Sequence, residues 1–188
     1  SNGTMHHNVI WNCGKGLMIK GQNHFIHSNT AFDNDNGVNG NDIIIMIDQG
    51  GNNGTLTKNN AANRIAGHRS GNYITYPVPG VYSTNWNGYV TQKNIKDELR
   101  DPLGVIPDFR PKDNSSLIDA GEYIGFNYSG NAPDIGAYES GVAPWIPGIL
   151  WNSTSIFDFT TMMHFNIILS PPPSPSLPPP SSPQPSPF

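Results

Sequence analysis

The residues of this chain that could do chemistry begin with four histidines close to the start of the sequence. His6 and His7 are adjacent, and His24 and His27 flank Phe25-Ile26. Imidazole nitrogens bind zinc and other transition metals, but such a site needs further ligands, and the sequence offers no third ligand that can be named. We therefore predict that these histidines face solvent or pack at turns, and we predict no metal site.

An acidic loop offers a second kind of chemistry. Asp33-Asn-Asp-Asn-Gly37, followed by Val-Asn-Gly-Asn-Asp42, has the alternating oxygen ligands of calcium-binding loops. No acidic residue stands where an EF-hand would need its last ligand. A polar turn between β-strands has the same composition, so the sequence favours a turn and leaves calcium as the alternative.

Asparagine side chains could also carry sugars. The chain has 23 Asn and 26 Ser or Thr among 188 residues, which would give about three Asn-x-Ser/Thr sequons by chance. Five occur, none with proline in the middle, and most lie in turn-like surroundings suited to N-linked glycans. We rank Asn53, Asn127 and Asn152 highest. The predicted N-glycosylation sites are Asn2, Asn53, Asn114, Asn127 and Asn152.

The last nineteen residues, 170–188, contain ten of the eighteen prolines and no charge. Proline fixes φ and lacks an amide donor, so this tail is expected to be polyproline II; a disordered linker has the same composition. The tail resembles the Ser/Pro blocks of hydroxyproline-rich cell-wall and matrix glycoproteins of plants and green algae. That resemblance implies hydroxylation or O-glycosylation at Pro171, Pro172, Pro173, Ser174, Pro175, Ser176, Pro178, Pro179, Pro180, Pro183 and Pro185.

The overall composition narrows the class of protein. Charged residues make up only 13% of the chain and the net charge is −4, so nothing indicates binding to nucleic acid or to an anionic membrane. No stretch reaches the ~18 apolar residues of a membrane span. Cys13 is the only cysteine, which excludes a disulfide framework within the chain. We expect Cys13 to be a small buried residue, with an intermolecular disulfide as the alternative.

Short apolar segments separated by Asn/Gly turns dominate residues 1–75. Strands of three to five residues are too short and too closely spaced for a β-sandwich, but they suit a solenoid in which equivalent strands of successive coils stack. Asparagines at the turns would then satisfy backbone groups. The predicted strands lie within 8–12, 16–20, 23–29, 43–47, 55–57 and 63–66.

This part of the sequence resembles the pectin-lyase-like superfamily of right-handed parallel β-helices. Its repeat unit is Asn-x-(Val/Phe)-Ile-x-x-Asn, given by Asn23 to Asn29 and approximated by Asn8 to Asn12. The resemblance implies an all-β fold, with the last β-helix coils and their connecting loops in 1–107. Because the chain opens inside a motif, we expect it to be the C-terminal part of a longer or processed protein.

Residues 108–140 are similar to a closing segment found in many surface-exposed β-helix proteins. The similarity lies in Asp108-Phe-Arg, in Ile118-Asp-Ala-Gly121 and in Asp134-Ile-Gly-Ala-Tyr-Glu139. An open solenoid end exposes strand edges and core, so the resemblance implies a cap over that end. Ile118, Ile135 and Tyr138 would supply its apolar face, and Asp119 and Asp134 would accept backbone amides.

Two further stretches complete the organisation. Residues 76–107 are proline-rich and predict loop, apart from a short helix within 92–100 that places Ile95 and Leu99 on one face. Residues 141–169 contain one formal charge, Asp158, and apolar side chains that alternate from Phe157 to Leu169, which predicts a strand. This apolar extension precedes the tail and would lie along the solenoid or pair with another subunit.

These features favour a secreted structural glycoprotein, a subunit of an extracellular matrix, cell wall or flagellar-hair-like filament. Its partners would be copies of itself or another matrix glycoprotein, bound through 141–169, and polysaccharide. The β-helix resemblance also implies an alternative, a polysaccharide-binding protein or a polysaccharide lyase or hydrolase. Lyases of this fold use Arg or Lys bases and hydrolases use clustered Asp. Gly67-His68-Arg69 echoes a polygalacturonase element without its partners, so no catalytic residue or cofactor is predicted.

Overall fold

A computed structural model describes residues 2–34, 40–48 and 51–143 of the chain. The chain divides into one compact unit at Ser1–Trp145 and a second at Ile146–Phe188. The second unit lies outside the described residues, as do Asn152, most of the predicted apolar extension and the whole tail. Neither of the two short helices within the described residues could span a lipid bilayer.

The described residues form thirteen short strands, a four-residue α-helix α1 (Gly88–Thr91) and a 3-10 helix (Ile95–Glu98). The strands are β1 Thr4–His6, β2 Val9–Trp11, β3 Leu17–Ile19, β4 Phe25–His27, β5 Thr30–Phe32, β6 Ile43–Ile45, β7 Leu56–Lys58, β8 Ala61–Ala62, β9 Ile65–Ala66, β10 Val81–Ser83, β11 Trp86–Asn87, β12 Leu99–Asp101 and β13 Asp108–Pro111.

The first eleven strands wind into a parallel β-helix, which confirms the predicted fold class. Sheet A has the order β1-β4-β7-β10, sheet B β11-β8-β5-β2 and sheet C β3-β6-β9, and all neighbours within these sheets are parallel. Each coil runs through sheets A, B and C in turn. Three coils are therefore complete, and β10 and β11 begin a fourth.

A two-residue corner joins sheet A to sheet B in every coil. Its first residue has a left-handed backbone, an uncommon conformation for residues other than glycine. Four such corners stack one above another, so the change of direction is identical in each coil. The residues and their φ angles are His7 (52°), Ser28 (50°), Asn59 (54°) and Thr84 (50°).

The second residue of each corner is an asparagine, and these four side chains form an asparagine ladder: Asn8, Asn29, Asn60 and Asn85. Asn29 Nδ2 donates to Asn60 Oδ1 at 2.9 Å, and Asn60 Nδ2 donates to Asn85 Oδ1 at 2.8 Å. Each amide also donates to the backbone carbonyl two residues before it. The prediction that turn asparagines satisfy backbone groups is thus confirmed.

The inside of the solenoid is a narrow apolar core. Alternating residues of each strand point into it, and sheets B and C supply Ala31, Ala62, Ile43 and Ile65. In the last coil Val78 is buried in this core, while Tyr73 and Tyr82 pack against it with ring centroids 5.3 Å apart. The stretch 73–82 therefore packs against the last complete coil. Among the described residues, no strand follows β9 in sheet C.

A second core lies on the outer face of sheet B. Phe32, Ala61 and Trp86 point outward there, and Leu117, Ile135, Ala137 and Tyr138 of the closing segment cover them. Full burial of a side chain such as Phe32 contributes about 2–3 kcal/mol. The closing segment therefore packs along the side of the solenoid, and its role as a cap over the open end stays a prediction.

The closing segment approaches sheet B closely at Gly136. The Gly136 φ of 115° favours glycine, and a Cβ atom there would lie 2.8 Å from Thr30 Oγ1. Ala137 N donates to that same hydroxyl at 3.0 Å. Ile135 and Tyr138 are buried as predicted, but Leu117 is fully buried in place of the half-buried Ile118.

Other differences from the sequence predictions are local. β10 and β11 lie where loop was predicted in 76–107, and the predicted helix is reduced to the 3-10 turn Ile95–Glu98. Val9 pairs with Thr30, so Asn8–Asn12 is equivalent to Asn29–Asp33 and not to the Asn23 repeat unit. Cys13 is exposed, and its thiol lies 3.3 Å from the Trp11 carbonyl.

Candidate functional site

The candidate site lies on the outer face of sheet A, where the coil register places His6, His27, Lys58 and Ser83 side by side. Ile26, the neighbour of His27 in β4, points into the solenoid, so His27 points outward. Outward-facing residues of a strand are normally exposed. His27 is nevertheless fully buried, because aromatic side chains cover it.

Three imidazoles, those of His6, His7 and His27, form what we term the histidine stack. The rings of His6 and His27 are parallel within 4° with centroids 4.9 Å apart. His7 stands edge-on to both, and its Nδ1 lies 2.9 Å from His6 Nδ1, a hydrogen-bond distance. Phe25 packs on His27 from within β4 at 4.3 Å.

The electrostatics of the stack favour neutral rings. Burial, together with the smaller effect of the nearby His6 and His7 rings, lowers the pKa of His27 to about 4. The pKa of His7 is also lowered, again chiefly by burial. His27 Nδ1 lies 3.3 Å from Ser28 Oγ, whereas its Nε2 has no hydrogen-bond partner.

The stack is covered by the aromatic loop, residues 122–130 of the closing segment. The loop is tied to sheet A at its start, where Lys58 Nζ is 2.6 Å from Glu122 Oε1 and Asn59 exchanges two hydrogen bonds with the Glu122 backbone. Near its end, Ser129 N donates to Glu139 Oε2 at 3.3 Å. Between these ties, Phe126 lies 4.9–5.5 Å from all three imidazoles.

The outer side of the loop forms an open depression of about 400 Å³, lined by Tyr123, Phe126, Asn127 and Tyr128. The rings of Tyr123 and Tyr128 meet at 63° with centroids 6.0 Å apart. The exposed fractions are 66% for Tyr123, 41% for Phe126 and 43% for Tyr128. Three large aromatic side chains are thus presented to solvent within six residues.

Such a surface can hold a ligand that has both apolar and polar faces. Aromatic rings attract polarised C–H groups to their faces, and phenol hydroxyls and the Asn127 amide can exchange hydrogen bonds with hydroxyl groups. None of the four lining residues carries a charge. The depression therefore suits a neutral, hydroxyl-rich ligand and offers nothing specific for an ion.

The sequence-based site predictions did not include this loop. The sequence did indicate the loop, because three aromatic residues lie within 123–128 and lack the periodicity of a helix or a strand. Glycines interrupt and flank this stretch at Gly121, Gly125 and Gly130. The histidines were singled out, but as solvent-facing or turn-packing residues. Three of the four come together at the stack, whereas His24 points elsewhere and contacts the Lys20 carbonyl at 3.0 Å.

The structure places four of the five predicted sequons at the surface and far apart in sequence. Asn2, Asn53, Asn114 and Asn127 are all exposed. Exposure makes these side chains reachable by a glycosylating enzyme, and their modification stays a prediction. Only Asn127 lies in the candidate site. The predicted hydroxylation and O-glycosylation sites in 171–185 lie outside the described residues.

The acidic side chains are engaged in structural contacts. Asp33 pairs with Lys96 at 2.7 Å, and the buried Asp42 accepts backbone amides of Asn34 and Arg64. Burial raises the pKa of Asp42 to about 6, against the lowering effect of those hydrogen bonds. The part of the proposed calcium loop at 35–39 lies outside the described residues.

Asp119 and Asp134 accept backbone amides, as predicted. Asp119 Oδ1 accepts from Asn131 N at 2.8 Å, and Asp134 Oδ1 accepts from Asp119 N at 2.8 Å. His68 stacks on Tyr76 at 4.6 Å and lies 3.3 Å from an Asp48 carboxylate oxygen. Within residues 2–34, 40–48 and 51–143, no three His, Cys, Asp or Glu side chains converge to hold a metal ion.

Comparison with known proteins gives a structural similarity and no similarity in sequence. No family model matches the chain, and no curated protein sequence matches it. Among solved structures it is similar to one described as "Crystal structure of pectate lyase Pel9A", with 20% identity and a TM-score of 0.45. The match covers 72% of this chain and 35% of the pectate lyase chain, so this chain spans about a third of that protein. A similarity of this size concerns the fold and says nothing about activity.

Proposed function

We propose that this chain is a carbohydrate-binding β-helix protein that holds a neutral polysaccharide in the depression of the aromatic loop. The observation that carries the proposal is the cluster of Tyr123, Phe126 and Tyr128 around an uncharged depression. Exposed aromatics in such a group are unusual on a soluble surface and mark contact sites. The β-helix supplies a rigid support, because its coils are joined by ladder hydrogen bonds.

The chemistry of a pyranose ring fits this surface. One face of the ring carries axial C–H bonds that pack on an aromatic face, while the equatorial hydroxyls reach outward to polar groups. Two rings inclined at 63° would contact adjacent faces of one sugar or of neighbouring sugars. We propose binding without catalysis, because the carboxylates of the same segment already accept hydrogen bonds from backbone amides. These carboxylates belong to Asp119, Asp134 and Glu139.

The sugar could come from two sources. Asn127 is itself a predicted glycosylation site, so the depression could hold the first sugars of the chain's own glycan or a separate polysaccharide. Protein made in a bacterial host lacks N-glycans and leaves the depression free. A Ser129→Ala variant from a eukaryotic host removes the sequon but keeps Asn127, and mass spectrometry of Asn127 tells whether the site is occupied.

Native gel electrophoresis tests the proposal directly. The bacterial protein, with its net charge of −4, is run through gels that contain xyloglucan, mixed-linkage β-glucan, galactomannan or polygalacturonate. We expect at least one of the three neutral polymers to retard the protein. Loss of an aromatic contact costs about 1 kcal/mol, so Tyr123→Ala and Tyr128→Ala should each weaken binding roughly fivefold.

An Ile74→Ala variant is the matched control, because Ile74 is 78% exposed and lies on a different part of the surface. It should be retarded like the unmodified protein. Equal retardation of the tyrosine variants would contradict the proposed site. Retardation by polygalacturonate alone, or release of oligosaccharides from any of the polymers, would contradict neutral binding without catalysis.

We also propose, from the sequence, that the protein works outside the cell as a subunit of a matrix or wall assembly. The support is the uncharged Pro/Ser tail at 170–188, the apolar residues of 141–169 and the five sequons. In such a subunit the described β-helix would attach polysaccharide, while 141–169 would contact copies of itself or another matrix glycoprotein.

A further inference from the structure

We propose that the histidine stack is a pH-sensitive clasp for the aromatic loop, which releases the loop, and with it the sugar, under acidic conditions. This inference concerns the regulation of the site proposed above and rests on that function for its carbohydrate part. Its structural part, opening of the loop on acidification, stands on the contacts among His6, His7, His27 and Phe126.

The first contact that requires neutral rings is the one between His6 and His7. Their Nδ1 atoms are 2.9 Å apart, so one must donate a proton and the other must present a lone pair. If both rings were protonated, two N–H groups and two positive charges would face each other. The observed geometry therefore exists only while at least one of the two imidazoles is neutral.

The second is the burial of His27. Its side chain is fully buried, and Nε2 has no hydrogen-bond partner. A neutral ring can leave a lone pair at Nε2 at modest cost. Protonation would place an N–H group and a charge in the same apolar position, between the His6 ring and Phe126. Opening of the loop would bring water to that nitrogen, so protonation and opening favour each other.

The charges around the stack do not compensate for such a proton. On one side of His27 lie His6 of β1 and His7 of the corner that follows β1. On the other side His27 is paired in the sheet with Lys58 of β7, whose ammonium group pairs with Glu122 of the loop. Within the described part of the chain, none of the three imidazoles has a carboxylate partner. The other titratable side chains of the loop are Tyr123 and Tyr128.

Glu139 at the far end of the loop titrates in the same range with the opposite effect. Burial raises its pKa to about 7, so acidification favours the state in which Glu139 is buried beside Ser129 N. A test must therefore separate the histidine effect from that of Glu139. Comparison of the unmodified protein with His27→Phe separates the two effects, because Glu139 is present in both proteins.

Phe126 connects the stack to the sugar site. It contacts all three imidazoles on one side and lines the depression on the other. The first tie of the loop, Lys58 to Glu122, lies four residues away. Loss of the contact between Phe126 and the stack would therefore free the middle of the loop and separate Phe126 from Tyr123 and Tyr128.

Amide hydrogen exchange of residues 122–130 at pH 7 and pH 5, corrected for intrinsic rates, measures the opening. The pKa of His27 is about 4 in the closed loop, and it should return toward the ordinary value of 6.5 when the loop opens and water reaches the ring. This difference predicts at least about a tenfold rise in the equilibrium constant for opening when the pH falls from 7 to 5. In His27→Phe, which keeps an aromatic ring but cannot titrate at this position, the rise should be several-fold smaller, and what remains comes from the contact between His6 and His7. His24→Phe, which removes a histidine outside the stack, should behave like the unmodified protein.

An equal response in the unmodified protein and in His27→Phe, or no response in either, would overturn the clasp. If His27→Phe does not fold, NMR titration of the unmodified protein decides: the pKa of His27 must lie well below the ordinary histidine value of 6.5, and an ordinary midpoint overturns the proposal. Exchange needs no carbohydrate, so its result does not depend on the proposed function. For the sugar, the polysaccharide that retards the protein at pH 7 should retard it at least about fivefold less at pH 5. In His27→Phe this difference between the two pH values should be several-fold smaller.

Discussion

At the scale of single residues, the chain places ionisable side chains where their charge is costly. His27, Asp42 and Glu139 have pKa values of about 4, 6 and 7, each displaced toward the neutral form mainly by burial. The two acids and the histidine act in opposite directions. Their contributions to the pH dependence of stability between pH 4 and 7 therefore partly cancel, and single variants can separate them.

Glu139→Gln provides one such separation. Folded Glu139 has a pKa of about 7 against an ordinary value of 4.5, so between these values the folded state binds more protons than the unfolded state. Its contribution to stability is complete below about pH 4.5 and is lost as the pH rises through 7. Glutamine has no such slope. Relative to the unmodified protein, the variant should therefore gain on the order of 2 kcal/mol between pH 4.5 and 8.

Urea denaturation at intervals of pH measures this difference. Glu122→Gln is the control, because Glu122 lies in the same segment and is paired with Lys58, and its pKa is lowered rather than raised. Its difference from the unmodified protein should change in the opposite sense and mainly below about pH 4.5, so it should stay nearly constant between pH 4.5 and 8. A constant difference for Glu139→Gln across this range would show that the carboxyl group is solvated in the folded state.

At the scale of structural elements, the corner between sheets A and B organises the solenoid. Asn60 donates to the Ile26 and Lys58 carbonyls and accepts from both nitrogens of Asn29. Its replacement by alanine removes these four hydrogen bonds and a fifth to Asn85, each worth about 1 kcal/mol in this largely buried position. We expect Asn60→Ala to destabilise the fold by roughly 4 kcal/mol in urea denaturation.

Asn53→Ala is the matched control, made in a host without N-glycosylation. Asn53 is an exposed asparagine seven residues away and has no ladder contact, so its loss should change the stability by less than about 0.5 kcal/mol. Similar losses for the two variants would mean that the ladder does not carry the stability assigned to it.

Sequence patterns predicted β2, β3, β4, β6, β7 and β9 and missed the other five strands of the β-helix, among them Val81–Ser83 despite its β-formers. Ile43–Ile45 and Val9–Trp11 were found from their side chains, whereas Ala61–Ala62 has no strand preference and was identified only by its pairing with Thr30 and Ala31. The corner asparagines were visible, but their separations of 21, 31 and 25 residues concealed the repeat.

The candidate site could not be predicted from the sequence, because its residues lie far apart along the chain. His6 and His27 meet because one coil happens to be 21 residues long, and Phe126 reaches them from a segment about a hundred residues further along. Neither distance leaves a local pattern. Tyr123 and Tyr128 lie in a loop whose position depends on the pairing of Glu122 with Lys58, which only the folded chain reveals.

At the scale of the whole molecule, the β-helix and the closing segment lie within one compact unit, Ser1–Trp145. The outer core of this unit buries Phe32 and Trp86 with residues of the closing segment up to Tyr138. Deletion of residues 141–188 should therefore leave the β-helix folded but abolish assembly. Circular dichroism with thermal unfolding checks the first part, and light scattering or sedimentation checks the second.

A deletion of 170–188 alone separates the contributions of the two C-terminal stretches. If assembly depends on 141–169, this shorter deletion should assemble normally. Normal assembly of the protein that lacks 141–188 would rule out the proposed interface. Loss of folding in that protein would show instead that the extension belongs to the structural unit.

The constant corner between sheets A and B has a consequence for how this protein can vary. Two residues separate the strands there in every coil, whereas the connections from sheet B to sheet C span 12–16, 33–42 and 63–64. The connections from sheet C to sheet A also differ, spanning 20–24, 46–55 and 67–80, so only the corner between sheets A and B keeps one length. The scaffold therefore accommodates connections of different length after sheets B and C, and an engineer who wishes to graft a new loop onto it should insert the loop there and leave the corner unchanged.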